Sequence, residues 1–209
     1  MKKLLYTFLA VSIIFSACKK EEEEPNNNGN NNGSNNTHTY VPNTNFELKL
    51  ISLGLDDVLD DYVLTTNIND LEILDLQSGD GKNVSNISNI TGIEDFVALK
   101  ELWCGGIQLK SLDVSTNLLL TTLMCCCNEL TSLDVSNNTA LIALNCGNDQ
   151  LISLDVRNGN NSNFIEFDSN TELDNTPLTC INVDDAAWST ANWLDINDES
   201  FFSEDCSVK

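Results

Sequence analysis

A repeat of 21 residues constrains the fold of this chain more than any other feature of its sequence. Residues 99–117, 120–138 and 141–159 align without a gap. Six positions recur at this spacing: Leu102, Leu123 and Leu144; Cys104, Cys125 and Cys146; Leu109, Leu130 and Leu151; Leu112, Leu133 and Leu154; Asp113, Asp134 and Asp155; and Val114, Val135 and Val156. Chance does not produce six such registers, so the chain is predicted to stack one structural unit on copies of itself.

Each copy contains two short segments, Leu-x-Cys and Leu-Asp-Val, in which side chains alternate before a turn. This alternation predicts two short strands per copy that face a shared interior. A single coil cannot bury its own apolar row, whereas stacked coils can, with neighbouring strands about 4.8 Å apart in a parallel sheet. We therefore expect a buried core ladder formed by Leu102, Leu123, Leu144, Cys104, Cys125 and Cys146.

A weaker fourth copy follows the three clear ones. Ile165 and Phe167 stand 21 positions after Leu144 and Cys146, and Asn170 continues this copy. The register is then lost. The tripeptide from Ile181 to Val183 resembles the Leu-Asp-Val step displaced by six residues.

The pattern L-x-x-L-x-C-x-x-N-x-L resembles the leucine-rich repeat. Residues 87–104 resemble an internalin-type repeat, with apolar residues at 87, 90, 93, 96, 99 and 102, and Leu74-Asp75-Leu76 resembles the strand one coil earlier. The resemblance implies a solenoid over residues 71–183, a right-handed coil that is mostly β with a parallel sheet. A β-helix of another type is the alternative architecture.

Both ends of a solenoid need caps, because an open terminal coil would expose its core. Residues 39–70 are predicted to form an N-terminal cap with a short helix, which Asn43 or Thr44 begins and Gly54 ends. Residues 184–209 are predicted to form a C-terminal cap, and four aromatic residues are expected to cover the last coil: Trp188, Trp193, Phe201 and Phe202. Together, caps and repeats resemble secreted and lipid-anchored repeat proteins of Gram-negative bacteria.

The beginning of the chain predicts export and lipid attachment. Residues 1–17 combine two lysines, an apolar run and small residues, which is the pattern of a secretory signal peptide too short to span a bilayer. Small residues directly before Cys18 resemble the lipobox of bacterial lipoproteins, and this implies that Cys18 becomes the lipidated first residue. An ordinary signal peptide with no special role for Cys18 is the alternative.

Residues 18–38 predict a disordered tether, acidic at first and then rich in asparagine, with almost no apolar side chains. Lysines and glutamates directly after the cysteine resemble an export tag of surface lipoproteins. We expect an outer membrane lipoprotein exposed on the cell surface; a periplasm-facing position is the alternative. The 10 Lys and Arg against 32 Asp and Glu give a net charge of −22, which argues against nucleic acid as a partner.

The chain has eight cysteines. Cys180 and Cys206 flank the C-terminal cap in an oxidising compartment, so a disulfide between them is expected. The ladder cysteines are expected to be buried thiols, because a straight ladder does not offer the tetrahedral geometry of a metal site; an oxidised pair is the alternative. Cys126 and Cys127 are exceptions among the copies, and they represent either drift at variable positions or reactive thiols.

Alternation places a further set of side chains on the outward face of the first sheet. In leucine-rich repeats this face is concave and binds ligands, so the resemblance implies a protein- or glycan-binding face, with Gly105, Gly147 and Asp168 beside its main residues: Trp103, Met124, Cys126, Asn145 and Glu166. Trp103 and Met124 are neighbours and form a candidate hot spot. The alternative is that they are scattered exposed apolar residues.

A column of outward aspartates is predicted beside the second strand: Asp113, Asp134 and Asp155, with Asp75 as a candidate extension. We expect these carboxylates to accept hydrogen bonds from the turns that follow them, and calcium binding is the alternative. The acidic stretch at residues 56–61 lacks the spacing of an EF-hand loop.

These features predict a non-catalytic, lipid-anchored protein of the cell envelope that presents a leucine-rich-repeat face for protein or glycan binding. The alternative function is a structural or adhesive coat module that binds divalent cations such as calcium through its acidic columns. No enzyme, cofactor or metal site is predicted, because no nucleophile–base pair, carboxylate pair in a pocket or phosphate loop is visible. The one histidine, His38, lies in the tether.

Overall fold

The computed structural model describes residues 37–77, 86–147, 150–168, 178–194, 196 and 199–207. The predicted signal peptide, Cys18 and nearly all of the predicted tether lie outside these ranges, as does Asn170. Neither helix of the described part is long and apolar enough to cross a membrane.

The N-terminal cap consists of a helix and a two-stranded hairpin. Strands β1 (His38–Tyr40) and β2 (Tyr62–Leu64) pair antiparallel, and helix α1 (Thr44–Ser52) lies between them in sequence. Asn43 is the N-cap residue, and its side chain accepts a hydrogen bond from the Phe46 amide at 3.0 Å. Phe46 is fully buried, so the apolar face of the helix joins the core.

Nine further strands of three residues each, all paired in parallel, occur in the described ranges. They are β3 (Ile73–Asp75), β4 (Glu101–Trp103), β5 (Thr122–Met124), β6 (Ser132–Asp134), β7 (Ala143–Asn145), β8 (Ser153–Asp155), β9 (Glu166–Asp168), β10 (Cys180–Asn182) and β11 (Phe201–Ser203). The first sheet has the order β3-β4-β5-β7-β9, and the second has the order β11-β10-β8-β6. The predicted leucine-rich-repeat-like solenoid with parallel sheets and short helical caps is thereby confirmed.

The first sheet contains the core ladder. Its central leucines pair in one register on β4, β5 and β7. These leucines and the cysteines two residues after them are fully buried: Leu102, Leu123, Leu144, Cys104, Cys125 and Cys146. Because each coil buries its apolar row against the next, the coils stabilise one another.

The second sheet begins and ends later in the chain than the first, from β6 to β11. Ile181 pairs with Leu154, which confirms the predicted displacement by six residues. Strand β11, from within the predicted C-terminal cap, extends this sheet by one more parallel strand. The prediction of a strand at Leu112-Asp113-Val114 is wrong, because this segment is irregular. This segment forms no ladder with β6, which is therefore the edge strand of the second sheet.

The register predicted for the fourth copy is wrong by two residues. Phe167, not Ile165, pairs with Leu144, so the spacing is 23 residues at this step. Ile165 is 80% exposed. The preceding turn accommodates the two additional residues, and a short 3-10 helix forms there at Asn161–Asn163.

Buried asparagines link each coil to the one before it. Nδ2 of Asn117 donates to the carbonyl oxygen of Ile93 at 2.9 Å, and Nδ2 of Asn138 donates to that of Val114 at 2.9 Å. Asn158 continues the series with a bond to the carbonyl oxygen of Asn138 at 3.1 Å. These amides satisfy carbonyl groups that the turns leave without a strand partner, and so fix the stacking of the coils.

The predicted disulfide Cys180–Cys206 is confirmed and joins β10 to the segment after β11. Helix α2 (Ala186–Asn192) lies between these strands in sequence. Trp193 is 6% exposed, and it packs against three aromatic rings at centroid distances of 5.3, 5.9 and 5.6 Å: Phe164, Trp188 and Phe202. Phe201 does not cover the core as predicted, because it precedes Phe202 on the strand and points to the opposite side; it is 56% exposed.

Candidate ligand-binding face

The outward residues of the first sheet form one surface, which we call the first-sheet face. Side chains alternate along a strand, so the first and third positions of each strand lie on the side away from the core. These positions form two rows in register across the sheet: Ile73, Glu101, Thr122, Ala143 and Glu166 in the first row, and Asp75, Trp103, Met124 and Asn145 in the second.

Trp103 and Met124 lie side by side at the centre of the second row. Both side chains are half-buried. The indole Nε1 of Trp103 donates a hydrogen bond to Oε2 of Glu101 on the same strand at 3.3 Å, which orients the ring. A large aromatic residue beside a flexible thioether is typical of the centre of protein interfaces.

The ends of the strands add a third group of residues to this surface. A Cβ atom on Gly105 would lie 2.9 Å from Nε2 of Gln77 and 3.3 Å from Sγ of Cys126. Gly105 therefore leaves room for the Gln77 amide beside the end of β4. Cys126 is half-buried at the end of β5, whereas Cys127 is exposed and has a φ of 63°, in the left-handed region.

Acidic residues flank the centre of the first-sheet face. Asp75 is in register with Trp103 on the neighbouring strand, Glu101 lies two residues before Trp103, and Glu166 lies at the far edge. None of the residues in the two rows is Lys or Arg. Lys100, which precedes β4, is paired with Glu72 at 2.7 Å. The surface therefore combines a partly apolar centre with negative charge on both sides.

The predicted binding residues lie on this face as expected, except that Glu166 occupies a different register position. Trp103, Met124 and Asn145 occupy consecutive positions of the second row, and Cys126 lies beyond Met124. Glu166 is exposed in the first row, in register with Ala143 rather than Asn145, because of the shifted register of the fourth copy.

Residues that the prediction missed lie on the side of the face towards the N-terminus. Asp75 and Glu101 lie beside Trp103, and Gln77 lies near Gly105 at the end of β4, but none of the three was among the predicted binding residues. An alignment of Leu74 with Leu102, residue by residue, would have placed Asp75 beside Trp103. Only the apolar positions of that coil resemble the repeat, so the pattern gave its outward residues no signal.

The predicted column of aspartates, two of them in the second sheet and Asp113 in the irregular segment beside it, serves the turns that follow, as predicted. Each Oδ1 accepts a hydrogen bond from the backbone amide two residues later, at 2.9, 2.8 and 3.1 Å respectively: Asp113 from Ser115, Asp134 from Ser136 and Asp155 from Arg157. The guanidinium of Arg157 also forms an ion pair with Asp155. Asp75 does not extend this column; it belongs to the first sheet, where it accepts from the Gln77 amide at 2.8 Å.

The hydrogen bonds of this column change the acidity of its members. Bonds from the side chain and backbone of Ser115 hold the pKa of Asp113 below its ordinary value of 3.8. Burial raises the pKa of Asp155, but the hydrogen bonds and positive charge of Arg157 outweigh burial and leave that pKa below the ordinary value. The bond to Asp155 raises the pKa of Arg157 in turn.

No group of three or more His, Cys, Asp or Glu side chains in the described ranges is placed to hold a metal ion. The acidic stretch at residues 56–61 is bound to the N-terminal cap through Glu47, which is fully buried. Oε1 of Glu47 accepts from the amides of Asp60 and Asp61 at 2.6 and 2.7 Å. This stretch therefore forms part of the cap structure.

No protein-family model matches the chain, and no curated protein is significantly similar to it in sequence. Among solved structures, it is similar to the functional domain of InlJ from Listeria monocytogenes, which is described as including a cysteine ladder. The two are 25% identical, with a TM-score of 0.49, over 70% of this chain and 38% of that one. This chain thus spans 38% of the length of InlJ in that structure.

Proposed function

We propose that this chain is a non-catalytic binding module whose first-sheet face recognises a protein ligand. One observation supports the proposal most directly: Trp103 and Met124 lie in register and half-buried at the centre of an outward surface. Aromatic and methionine side chains in such positions are enriched in interfaces, because they bury much apolar area on contact.

The two sheets differ in what their outward side chains do. The carboxylates of Asp134 and Asp155 on the second sheet accept hydrogen bonds from their own turns. On the first sheet, the Trp103 ring and the Met124 thioether are large, partly exposed groups whose contact with a partner would remove further apolar area from water. The first sheet is therefore the better candidate for recognition.

Photo-cross-linking tests this assignment. A benzophenone amino acid placed at Thr122, in the first row, is expected to give cross-linked products with a ligand on intact cells. The same amino acid at Ser153, an exposed position on the second sheet, serves as the matched control and should not. Products from Ser153 alone would refute the assignment. Mass spectrometry of the products distinguishes a protein from a glycan ligand.

We further propose that the module is held in the cell envelope by a lipid on Cys18 and displayed on the outer surface of the outer membrane. The sequence before Cys18 and the tether after it support this location. The disulfide Cys180–Cys206 is consistent with an oxidising compartment. Metabolic labelling with an alkyne fatty acid should label the chain and fail to label Cys18→Ser, and protease added to intact cells should cleave the displayed chain.

A further inference from the structure

The surroundings of Trp103 combine an aromatic ring with two carboxylates. Asp75 pairs in register with Trp103, and neighbouring parallel strands are about 4.8 Å apart. Glu101 lies on the same face of the same strand, and its Oε2 accepts the indole N–H at 3.3 Å. Asp75 is exposed, and Glu101 and Trp103 are half-buried, so all three are accessible to a partner.

This arrangement favours a positively charged group. The face of an indole ring attracts cations through its quadrupole, and a carboxylate bound to the ring N–H adds negative charge beside it. A guanidinium can lie flat on the ring and donate to carboxylates at its edge at the same time, whereas an ammonium group is a point charge without this fork. The rows of the face contain no Lys or Arg that would compensate the carboxylates from within the chain.

We propose that the first-sheet face binds a partner protein through an arginine side chain that lies on Trp103 between Asp75 and Glu101. This inference rests on the proposed function and names the chemistry of its ligand. The apolar side chain of Met124, on the other flank of Trp103, contacts the residues beside that arginine. The charge complementarity agrees with the net charge of −22, which attracts basic partners over distance.

Peptide binding to the full-length chain in zwitterionic detergent tests the proposal. The probe is a synthetic peptide of alternating Arg and Leu, and its twin has citrulline, which is neutral and of nearly the same shape, in place of every Arg. The three tryptophans give three indole N–H signals in NMR spectra, and loss of one in Trp103→Leu assigns it. The Trp103 signal should shift saturably with the Arg peptide, and the citrulline peptide should bind roughly three- to tenfold more weakly.

Charge variants locate the binding site. Asp75→Asn combined with Glu101→Gln should weaken binding of the Arg peptide roughly three- to tenfold, while the Asp75→Asn side chain keeps an oxygen for the Gln77 amide. Asp134→Asn combined with Glu129→Gln removes the same charge from exposed positions elsewhere and should change binding by less than about twofold. Trp103→Leu should reduce the preference for Arg over citrulline, because it removes the ring and leaves only the two carboxylates to distinguish the charged peptide.

Three results would overturn the inference: equal binding of the Arg and citrulline peptides, equal weakening by both pairs of charge variants, or equal shifts at Trp188 and Trp193. A lysine peptide that binds as tightly as the Arg peptide would overturn the guanidinium assignment. The cross-linking experiment at Thr122 and Ser153 tests the proposed function separately from the arginine. If Thr122 cross-links a ligand whose binding ignores Asp75→Asn and Glu101→Gln, the face binds without an arginine; if only Ser153 cross-links, the face itself is wrong.

Discussion

The two parallel sheets of this solenoid have the same backbone construction and different outward surfaces. The first sheet has five strands and begins next to the N-terminal cap, whereas the second has four and reaches its edge in the C-terminal cap. Outward positions of the second sheet include aspartates that bind their own turns. The first sheet instead presents Trp103 and Met124 between acidic residues.

This difference separates the requirements of the fold from those of recognition. The inward leucines Leu123 and Leu154 are fully buried in the first and second sheets respectively, so both sheets share one kind of core. An outward aspartate at a strand end is explained by the turn that follows it. In the described part of the chain, the large half-buried indole of Trp103 bonds only to Glu101 on its own strand and caps no turn, and this supports the proposal that the first-sheet face contacts a partner.

The largest effects are expected in the shared core. Leu123→Ala and Leu154→Ala should each lower the free energy of unfolding by about 2–5 kcal/mol, because both leave a cavity in a packed interior. Ile152→Ala, at a position that is 63% exposed, is the control and should change it by less than about 0.5 kcal/mol. Urea unfolding monitored by circular dichroism measures all three. A loss confined to one of the two leucines would contradict a shared core.

The disulfide should matter for the second sheet more than for the first. Cys180→Ser combined with Cys206→Ser should lower the free energy of unfolding by about 3 kcal/mol, because the bond closes a loop across 26 positions. Hydrogen exchange should accelerate more at β10 and β11 than at β4 and β5. Exposed Cys127→Ser is the control. Equal acceleration in both sheets would show that the cap stabilises the whole solenoid rather than its last coils.

The sequence predicts the core of this molecule better than its ends, for a physical reason. A strict spacing of 21 residues fixes which leucines pair, and it correctly implies the strands at Leu102, Leu123 and Leu144. The step to Phe167 is two residues longer, because a turn on the outside of the stack can lengthen without disturbing the core. A local pattern does not reveal where such an insertion falls.

The candidate site is only partly predictable for a related reason. Trp103 and Met124 follow from alternation within clear copies, whereas Asp75 belongs to a coil whose turns do not resemble the repeat. Its place beside Trp103 follows only when Leu74 is aligned with Leu102 at a spacing of 28 residues, which the repeat of 21 does not suggest. Likewise, Asn117 and Asn138 recur in the repeat, but their bonds to the preceding coil depend on the stacking.

A smaller effect should distinguish the structural role of the aspartates from recognition. Asp134→Ala should lower the free energy of unfolding by about 1 kcal/mol, because it removes the acceptor for the Ser136 amide. Asp134→Asn keeps that acceptor and should be nearly neutral. Neither variant should change binding at the first-sheet face, measured with the Thr122 cross-linker. A loss of cross-linking in Asp134→Asn would show that the second sheet also takes part in recognition.

The smallest expected effect concerns acid, and it too should be confined to the aspartate column. Because the pKa values of Asp113 and Asp155 are lowered in the folded chain, the unfolded chain binds protons more readily at these groups. Their contribution to stability is therefore fully present well above pH 3.8 and is lost as the pH falls through the lower pKa values of the folded chain.

The variant Asp113→Asn tests this dependence, because it removes one titrating group and keeps an acceptor for the Ser115 amide. The fall in Tm below pH 3.8 should become shallower in this variant. The difference should be no more than about 2 °C, because the group is largely solvent-exposed. Thermal melts of the wild-type chain and Asp113→Asn across this range measure the difference. A steeper fall in the variant would contradict the assigned direction, since it would mean that the charged carboxylate destabilises the turn it caps.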